Sequence, residues 1–170
     1  ICTGYQNAFE AAKDFPEIYV IDSGMVSSAM GALVLVAADM GHKGATKDII
    51  LKKVEEVKGK INCRFVMRSA QCLGRSRRMA RVWEKVCSTL SLHPFIGLKN
   101  SAFSLIGFCI GNHEKCVNSY INKCLGDKDK VSDEVLFVVT AGCDYEVQKY
   151  ILEEVQKHIQ WKNIYVVKTS

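Results

Sequence analysis

The sequence contains no apolar run close to the roughly 20 residues that a transmembrane helix needs, so we expect no membrane-spanning segment. It does not open with a charged stretch followed by an apolar one, as a secretory signal does. Glycine-rich phosphate loops, His-Glu-x-x-His motifs, nucleophile elbows and paired carboxylates are also lacking. These absences favour a binding protein over an enzyme and predict no catalytic residues. Because residue 1 is not methionine, we expect it to lie inside a longer chain.

Cysteine is abundant, with eight residues, but no two of them form a Cys-x-x-Cys pair. They fall in apolar or helical settings, which is typical of reduced thiols that act as small core residues. We therefore expect a cytoplasmic protein. A zinc site built from Cys116, Cys124 and His113 would have a spacing that fits no common ligand frame, so we predict no metal.

The formal net charge is only +5, yet four of the basic residues are close together: Arg75, Arg77, Arg78 and Arg81. A local cluster of this kind favours an anionic ligand or an acidic partner. No aromatic residue alternates with these arginines, so base stacking has no support and nucleic acid is not the expected partner.

The chain is organised around Glu17–Met40, where a buried strand at 18–21 is predicted to run into a long apolar helix. Between them, Asp22, Ser23 and Gly24 form a turn, and Ser27 and Ser28 are candidate helix caps. Ligands of open α/β sheets bind where strands end beside helix N-termini, which would place these polar residues at the mouth of a cleft. The alternative is that they merely cap the helix.

Hydrophobic periodicity predicts further elements on both sides of this region. We expect helices at 2–14, 46–58, 82–90, 112–124 and 144–158, and strands at 61–67, 93–98, 102–110, 135–139 and 163–167. Asn100 suits the left-handed position of a hairpin turn between the second and third of these strands. The fold class is α/β. We expect the remnant of a parallel-sheet domain in 1–59 and a mixed-sheet α/β domain in 60–170.

Several stretches, in this order, resemble motifs of the DegV family. They are Tyr5-Gln6-Asn7-Ala8, Val20-Ile21-Asp22-Ser23 with the following Ser27, the turn at Arg78-Met79, and Leu92-His93-Pro94-Phe95-Ile96. The resemblance implies a two-domain α/β fold that holds a long-chain fatty acid between its domains. It also implies a carrier that presents the acyl carboxylate to a separate fatty acid kinase catalytic subunit, with no cofactor of its own. The family's first strands and its C-terminal segment would lie outside residues 1–170.

The resemblance also implies roles for particular residues. Thr3, Ser27 and Arg78 are candidates for the carboxylate, because hydroxyl and guanidinium groups donate hydrogen bonds to it. The family's serine before Thr3 is Cys2 here, and a thiol is a poor donor. The candidates for the acyl chain are Phe65, Phe95, Ile96, Leu98, Leu105, Phe103 and Phe108. Arg75, Arg77 and Arg81 are candidates for docking the kinase.

Two other functions stay open from the residues alone. One is an enzyme acting on a small phosphorylated or carboxylated molecule, which would use Asp22 and Ser23 beside the helix start at Ser27 and Ser28. The other is a protein or nucleic-acid interaction module that works through the arginine cluster at 75–81, with nucleic acid the less expected partner.

Overall fold

A computed structural model of the chain describes residues 3–68, 91–99 and 101–169. The predicted helix at 82–90, the turn residue Asn100 and the arginine cluster lie outside the described residues. The chain divides into two compact units, which we call the first and the second unit. The first comprises Ile1–Cys63 with Leu98–Phe103, and the second comprises Arg64–Gly97 with Ser104–Ser170.

The first unit is built on three helices: α1 at Gly4–Ala11, α2 at Ser27–His42 and α3 at Lys47–Lys58. A short 3₁₀ helix at Ala12–Asp14 extends α1. All three helices were predicted, α1 and α3 from their periodicity and α2 as a long apolar helix, and their existence is confirmed. Helix α2 packs against α3, and only Ala29, Leu33 and Val54 of these two helices are buried.

The prediction of a buried strand at 18–21 is wrong. Residues 18–26 carry no regular secondary structure, and Ile18 and Tyr19 are 50% and 56% exposed. The β-branched composition was sound, but an extended segment becomes a strand only when a neighbouring strand accepts its backbone hydrogen bonds. Among the described residues no strand pairs with this segment. The Ile18 N–H donates instead to the Phe15 carbonyl, 3.0 Å away, in a local turn.

The prediction that Ser27 and Ser28 cap α2 is also wrong. The N-cap is Val26, whose side chain makes no capping hydrogen bond. Ser27 is the first helical residue, and its φ of 51° is left-handed. A non-glycine residue rarely adopts this conformation, which costs roughly 1–3 kcal/mol. Helix α2 therefore begins with a strained, exposed serine.

The second unit contains most of the strands. Strand β1 spans Arg64–Val66, β2 spans Leu92–Lys99 and β3 spans Ala102–Ile110, in the sheet order β1-β2-β3. Strands β1 and β2 are antiparallel, and β2 and β3 form the predicted hairpin, whose tip is grouped with the first unit. At the tip, Ser101 has a φ of 59°, which is the left-handed position that a hairpin turn requires.

The rest of the second unit follows a helix-strand-helix-strand order. Helix α4 spans His113–Leu125, β4 spans Val135–Ala141, α5 spans Tyr145–His158 and β5 spans Asn163–Thr169. Strands β4 and β5 are parallel over seven residue pairs, which fits the crossover through α5. We expected parallel and antiparallel pairing within one mixed sheet, whereas among the described residues the two kinds of pairing occur in two separate sheets.

The core of the second unit lies where α4 and α5 meet strand β4. Its buried residues are all aliphatic: Val117, Ile121, Leu125, Val138 and Val155. Each is less than 9% exposed, and partly buried side chains from β1, β4 and β5 surround them. Across the three described ranges, no helix is both long and apolar enough to cross a bilayer.

Candidate functional site

A polar loop precedes α2, and its side chains bond to its own backbone. The Asp22 carboxylate accepts a hydrogen bond of 2.9 Å from the Gly24 N–H, and the Ser23 hydroxyl accepts one of 3.2 Å from Met25 N–H. Gly24 has a φ of 58°, a conformation that glycine adopts without strain. The loop is thus a pair of short polar turns.

Two distant residues of the first unit contact this loop from outside. The Lys58 ammonium, at the end of α3, donates a hydrogen bond of 2.6 Å to the Asp22 carbonyl. A Cβ atom at Gly24 would lie 2.7 Å from the Ser101 hydroxyl, so the hairpin tip approaches the loop backbone as closely as a glycine allows. The hairpin is itself fastened by the Leu98 N–H, which donates to the Cys63 carbonyl at 2.9 Å.

Sequence reasoning missed both of these residues. The hairpin prediction placed Ser101 between the two strands without a role, and nothing in the pattern indicated that this turn would contact the loop before α2. Lys58 occupies an ordinary position in the last turn of a helix, where lysine is common because it complements the helix dipole. A contact formed across 36 positions of the chain leaves no periodic signal in the sequence.

The candidate head-group residues Thr3 and Ser27 both lie at helix starts and are exposed. Thr3 is the N-cap of α1, but its side chain makes no capping hydrogen bond. Ser27 begins α2 and likewise does not cap it. Both hydroxyls are therefore free of the capping role that such positions usually give them. Arg78 lies outside the described residues, as do the docking candidates Arg75, Arg77 and Arg81.

The geometry gives the enzyme hypothesis little support at Asp22 and Ser23. A general base or nucleophile needs a side chain that can reach a substrate atom. Here the Asp22 carboxylate and the Ser23 hydroxyl both bond to the backbone of their own loop. These contacts are those of a structural turn.

Strand pairing divides the apolar candidates between the two faces of the β1-β2-β3 sheet. Residues opposite each other in an antiparallel pair share a face, so Phe65 and Ile96 lie together. Phe95 lies on the other face, where its ring meets Tyr120 of α4 edge-on with 5.4 Å between centroids. Phe95 is 2% exposed and Ile96 is 6% exposed, whereas Phe65 is 38% exposed.

The remaining apolar candidates lie along the hairpin. Leu98 is half-buried in β2. The candidates on β3 are more open: Phe103 is 42%, Leu105 is 55% and Phe108 is 57% exposed. Strand β3 therefore presents several large apolar side chains to its surroundings, unlike the helix-covered Phe95.

His93 of β2 lies beside His113, the first residue of α4. The rings of His93 and His113 are 5.5 Å apart, and His93 Nδ1 lies 3.2 Å from the Met67 carbonyl. The Nδ1 atom of His113 is buried and has no hydrogen-bond partner among the described residues. Burial lowers the pKa of His113 below its ordinary 6.5, and the positive charge of Arg68 and the His93 ring act in the same direction.

The cysteines that the structure describes are free thiols: Cys63, Cys109, Cys116, Cys124 and Cys143. Cys116 is fully buried, and this burial raises its pKa to about 12, with the neighbouring Cys109 thiol contributing. Within residues 3–68, 91–99 and 101–169, no three His, Cys, Asp or Glu side chains are grouped so that they could hold a metal ion.

Comparison with protein families gives a match over residues 2–170 to the family described as "Uncharacterised protein, DegV family". A curated relative is the DegV domain-containing protein of Streptococcus pyogenes serotype M3, 30% identical over 108 residues. That alignment covers 62% of this chain and 39% of the relative, so the matched part is well under half of the relative's length.

Solved structures share the fold at low sequence identity. A Eubacterium eligens DegV family protein loaded with heptadecanoic acid is 16% identical, with a TM-score of 0.81 over 98% of this chain and 62% of its own. The Streptococcus pneumoniae fatty acid kinase B3 protein loaded with linoleic acid is also 16% identical, with a TM-score of 0.82 over 99% of this chain and 61% of its own. A fatty-acid-binding protein from Thermus thermophilus is 20% identical, with a TM-score of 0.78 over 98% of this chain and 59% of its own. The chain spans about three fifths of the length of these structures.

Proposed function

The chain belongs to the DegV family, and on that basis we propose that it binds a long-chain fatty acid and carries it to a separate fatty acid kinase. The observation that carries the proposal is the family match over residues 2–170, together with the fatty acids named in structures that share this fold. The protein is then a carrier, and the kinase uses ATP and catalyses the phosphoryl transfer. The free thiols in the described part of the chain support a reducing compartment, the cytoplasm.

Binding of this kind combines two physical requirements. Each methylene removed from water contributes about 0.8 kcal/mol, so a long acyl chain is held mainly by apolar burial. The carboxylate needs hydrogen-bond donors, because an unpaired charge is costly away from water. A binding site therefore needs apolar residues for the chain and a small donor set for the head group.

We assign the head group to Thr3, Ser27 and Arg78. The two hydroxyls are supported by their position at helix starts, where backbone N–H groups and the helix dipole favour an anion. Arg78 matches the family arginine, and a guanidinium can bind a carboxylate through two parallel hydrogen bonds. Arg75, Arg77 and Arg81 are the proposed docking residues for the kinase.

The acyl chain is assigned to Phe65, Phe95, Ile96, Leu98 and Leu105. Their contributions differ, because Phe95 already packs against Tyr120 while Phe65 and Leu105 are substantially exposed. Direct contact with a ligand is best supported for Phe65 and Leu105. Phe95 and Ile96 support them from within the sheet.

The first test is extraction of the purified chain with organic solvent, followed by mass spectrometry and by titration with oleic acid. We expect close to one co-purified fatty acid per chain and saturable binding of oleic acid. If no fatty acid co-purified and oleic acid did not bind, the proposal would be overturned.

Matched variants test the assignment of residues. Phe65→Ser is expected to weaken oleic acid binding by roughly tenfold, because it removes about 50 Å² or more of apolar contact. Phe9→Ser is the control, because Phe9 is 49% exposed on α1 and has no assigned role. Equal affinities for the two variants would contradict the role of Phe65.

Transfer to a kinase is tested with a bacterial fatty acid kinase, ATP and the oleate-loaded chain. A carboxylate oxygen attacks the γ-phosphorus, ADP leaves and an acyl phosphate forms, which hydroxylamine traps as a hydroxamate. Arg77→Ala and Arg81→Ala are expected to slow the transfer without changing oleic acid affinity. A transfer rate unaffected by both substitutions would contradict the docking role.

A further inference from the structure

We infer that Lys58 and Ser101 are positioning residues for the head-group end of the proposed site. They hold the Asp22–Gly24 loop, from which α2 begins with Ser27. This inference rests on the proposed fatty-acid binding. It adds two residues to the proposed site that do not belong to the motifs that indicated that function. Both lie in the same unit as the loop.

Lys58 fixes the loop through its backbone. Its ammonium lies 2.6 Å from the Asp22 carbonyl, 36 positions away, and 3.4 Å from the carboxylate of Glu55 on its own helix. A hydrogen bond from a charged donor is stronger than one between neutral groups. The lysine thus ties the end of α3 to the residue at which the loop turns toward α2.

Ser101 fixes the same loop by close packing. A Cβ atom at Gly24 would come within 2.7 Å of the Ser101 hydroxyl, which is closer than real Cβ contacts, so the hairpin tip packs directly against the loop. Ser101 itself has a φ of 59°, and such a strained conformation persists only where surrounding contacts hold it. Within the first unit, the segment that carries Ser101 is also held by the Leu98 N–H, which donates to the Cys63 carbonyl.

The first turn of α2 depends on these two contacts because it has no side-chain cap of its own. Ser27 lies three residues after Gly24, and its left-handed φ of 51° also needs external support. When the loop is displaced, the direction of the Ser27 hydroxyl and of the adjacent N–H groups changes with it. The carboxylate then loses its donors while the acyl chain keeps its apolar contacts.

The experiment uses the 170-residue chain and two fluorescent probes, cis-parinaric acid and its methyl ester. The ester keeps the acyl chain and lacks the charge, so the ratio of the two dissociation constants isolates the head group. Lys58→Met removes the ammonium, and Lys58→Arg keeps a donor. Lys53→Met is the matched control, because among the described residues Lys53 pairs only with Glu56 of its own helix.

We expect Lys58→Met to weaken acid binding by about tenfold, which corresponds to about 1.4 kcal/mol, while ester binding changes by less than about twofold. Lys58→Arg and Lys53→Met should keep the wild-type ratio. A merely structural role for Lys58 would weaken both probes equally and leave the ratio unchanged, and that result would overturn the inference.

The role of Ser101 is tested by changing the packing between the hairpin tip and the loop. Gly24→Ala should lower the preference for the acid, because its Cβ would displace the hairpin tip. Adding Ser101→Gly to Gly24→Ala should restore part of that preference by removing the hydroxyl. If the double variant behaved like Gly24→Ala alone, the role of Ser101 would be excluded. If the wild type bound neither probe, the proposed function would fail and this inference with it.

Discussion

The two units of the molecule bury their apolar residues to very different extents. In the second unit, aliphatic residues of α4, α5 and β4 form a closed cluster. In the first unit, large apolar side chains stay open on the helices and the preceding loop, among them Phe9 at 49%, Ile18 at 50% and Val34 at 59% exposure. The difference follows from helix cover, because α4 and α5 pack over β4, whereas β3 of the same unit leaves Leu105 and Phe108 more than half exposed.

The largest effect should come from truncating the core of the second unit. Ile121→Ala removes a side chain that is 4% exposed, and we expect the free energy of unfolding to fall by about 3 kcal/mol. Ile49→Ala makes the same change at a position that is 53% exposed in the first unit, and should cost less than about 0.5 kcal/mol. Urea denaturation measures both. Equal losses would contradict the contrast between the units.

An intermediate effect is expected at the helix caps. The Asn112 side chain accepts a hydrogen bond of 2.9 Å from the Lys115 N–H at the start of α4, so Asn112→Ala should cost about 1 kcal/mol. Thr46 is the N-cap of α3, but its side chain makes no capping hydrogen bond, so Thr46→Ala should cost only roughly a few tenths of a kcal/mol. Thermal unfolding followed by circular dichroism distinguishes the two. If Thr46→Ala lost more stability than Asn112→Ala, the capping hydrogen bond would not determine the stability contribution of these two N-caps.

The smallest effect concerns pH. His113 has a pKa below 6.5 in the folded chain because it is partly buried and lies near Arg68 and His93. The unfolded chain therefore binds a proton at His113 that the folded chain does not, so stability falls as pH drops through 6.5 and levels off below the folded pKa. His113→Gln should remove this part of the loss between pH 8 and pH 5. If the free energies of unfolding of the wild type and of His113→Gln differed by the same amount at every pH in this range, the prediction would be refuted.

The helices were predictable, while the pairing of strands was only partly so. Periodicity located α1, α3, α4 and α5, and a long apolar run located α2, because a helix satisfies its backbone hydrogen bonds internally. Strands depend on distant partners, which is why β2 and β3, joined by a short turn, were predicted and the supposed strand at 18–21 was wrong. The β-branched run there had the right composition but no partner among the described residues.

The candidate site shows the same limit. Motif resemblance indicated Ser27 and the Asp22-Ser23 turn, since motifs are local in the chain. It gave no indication of Lys58 or Ser101, whose contacts with that turn arise only when α3 and the hairpin are in place. The left-handed φ of Ser27 was also unpredictable, because serine has no general preference for that conformation.

The parallel pairing of β4 and β5 has a consequence for synthesis of the protein. Val135 pairs with Asn163 and Ala141 with Thr169, so β4 emerges from the ribosome before its partner does. During that interval the nascent chain exposes Val135-Leu136-Phe137-Val138-Val139, an apolar β-prone stretch of the kind that associates with other chains. Helix α5 forms locally and brings β5 back to this edge, which makes its folding the step that ends the exposure.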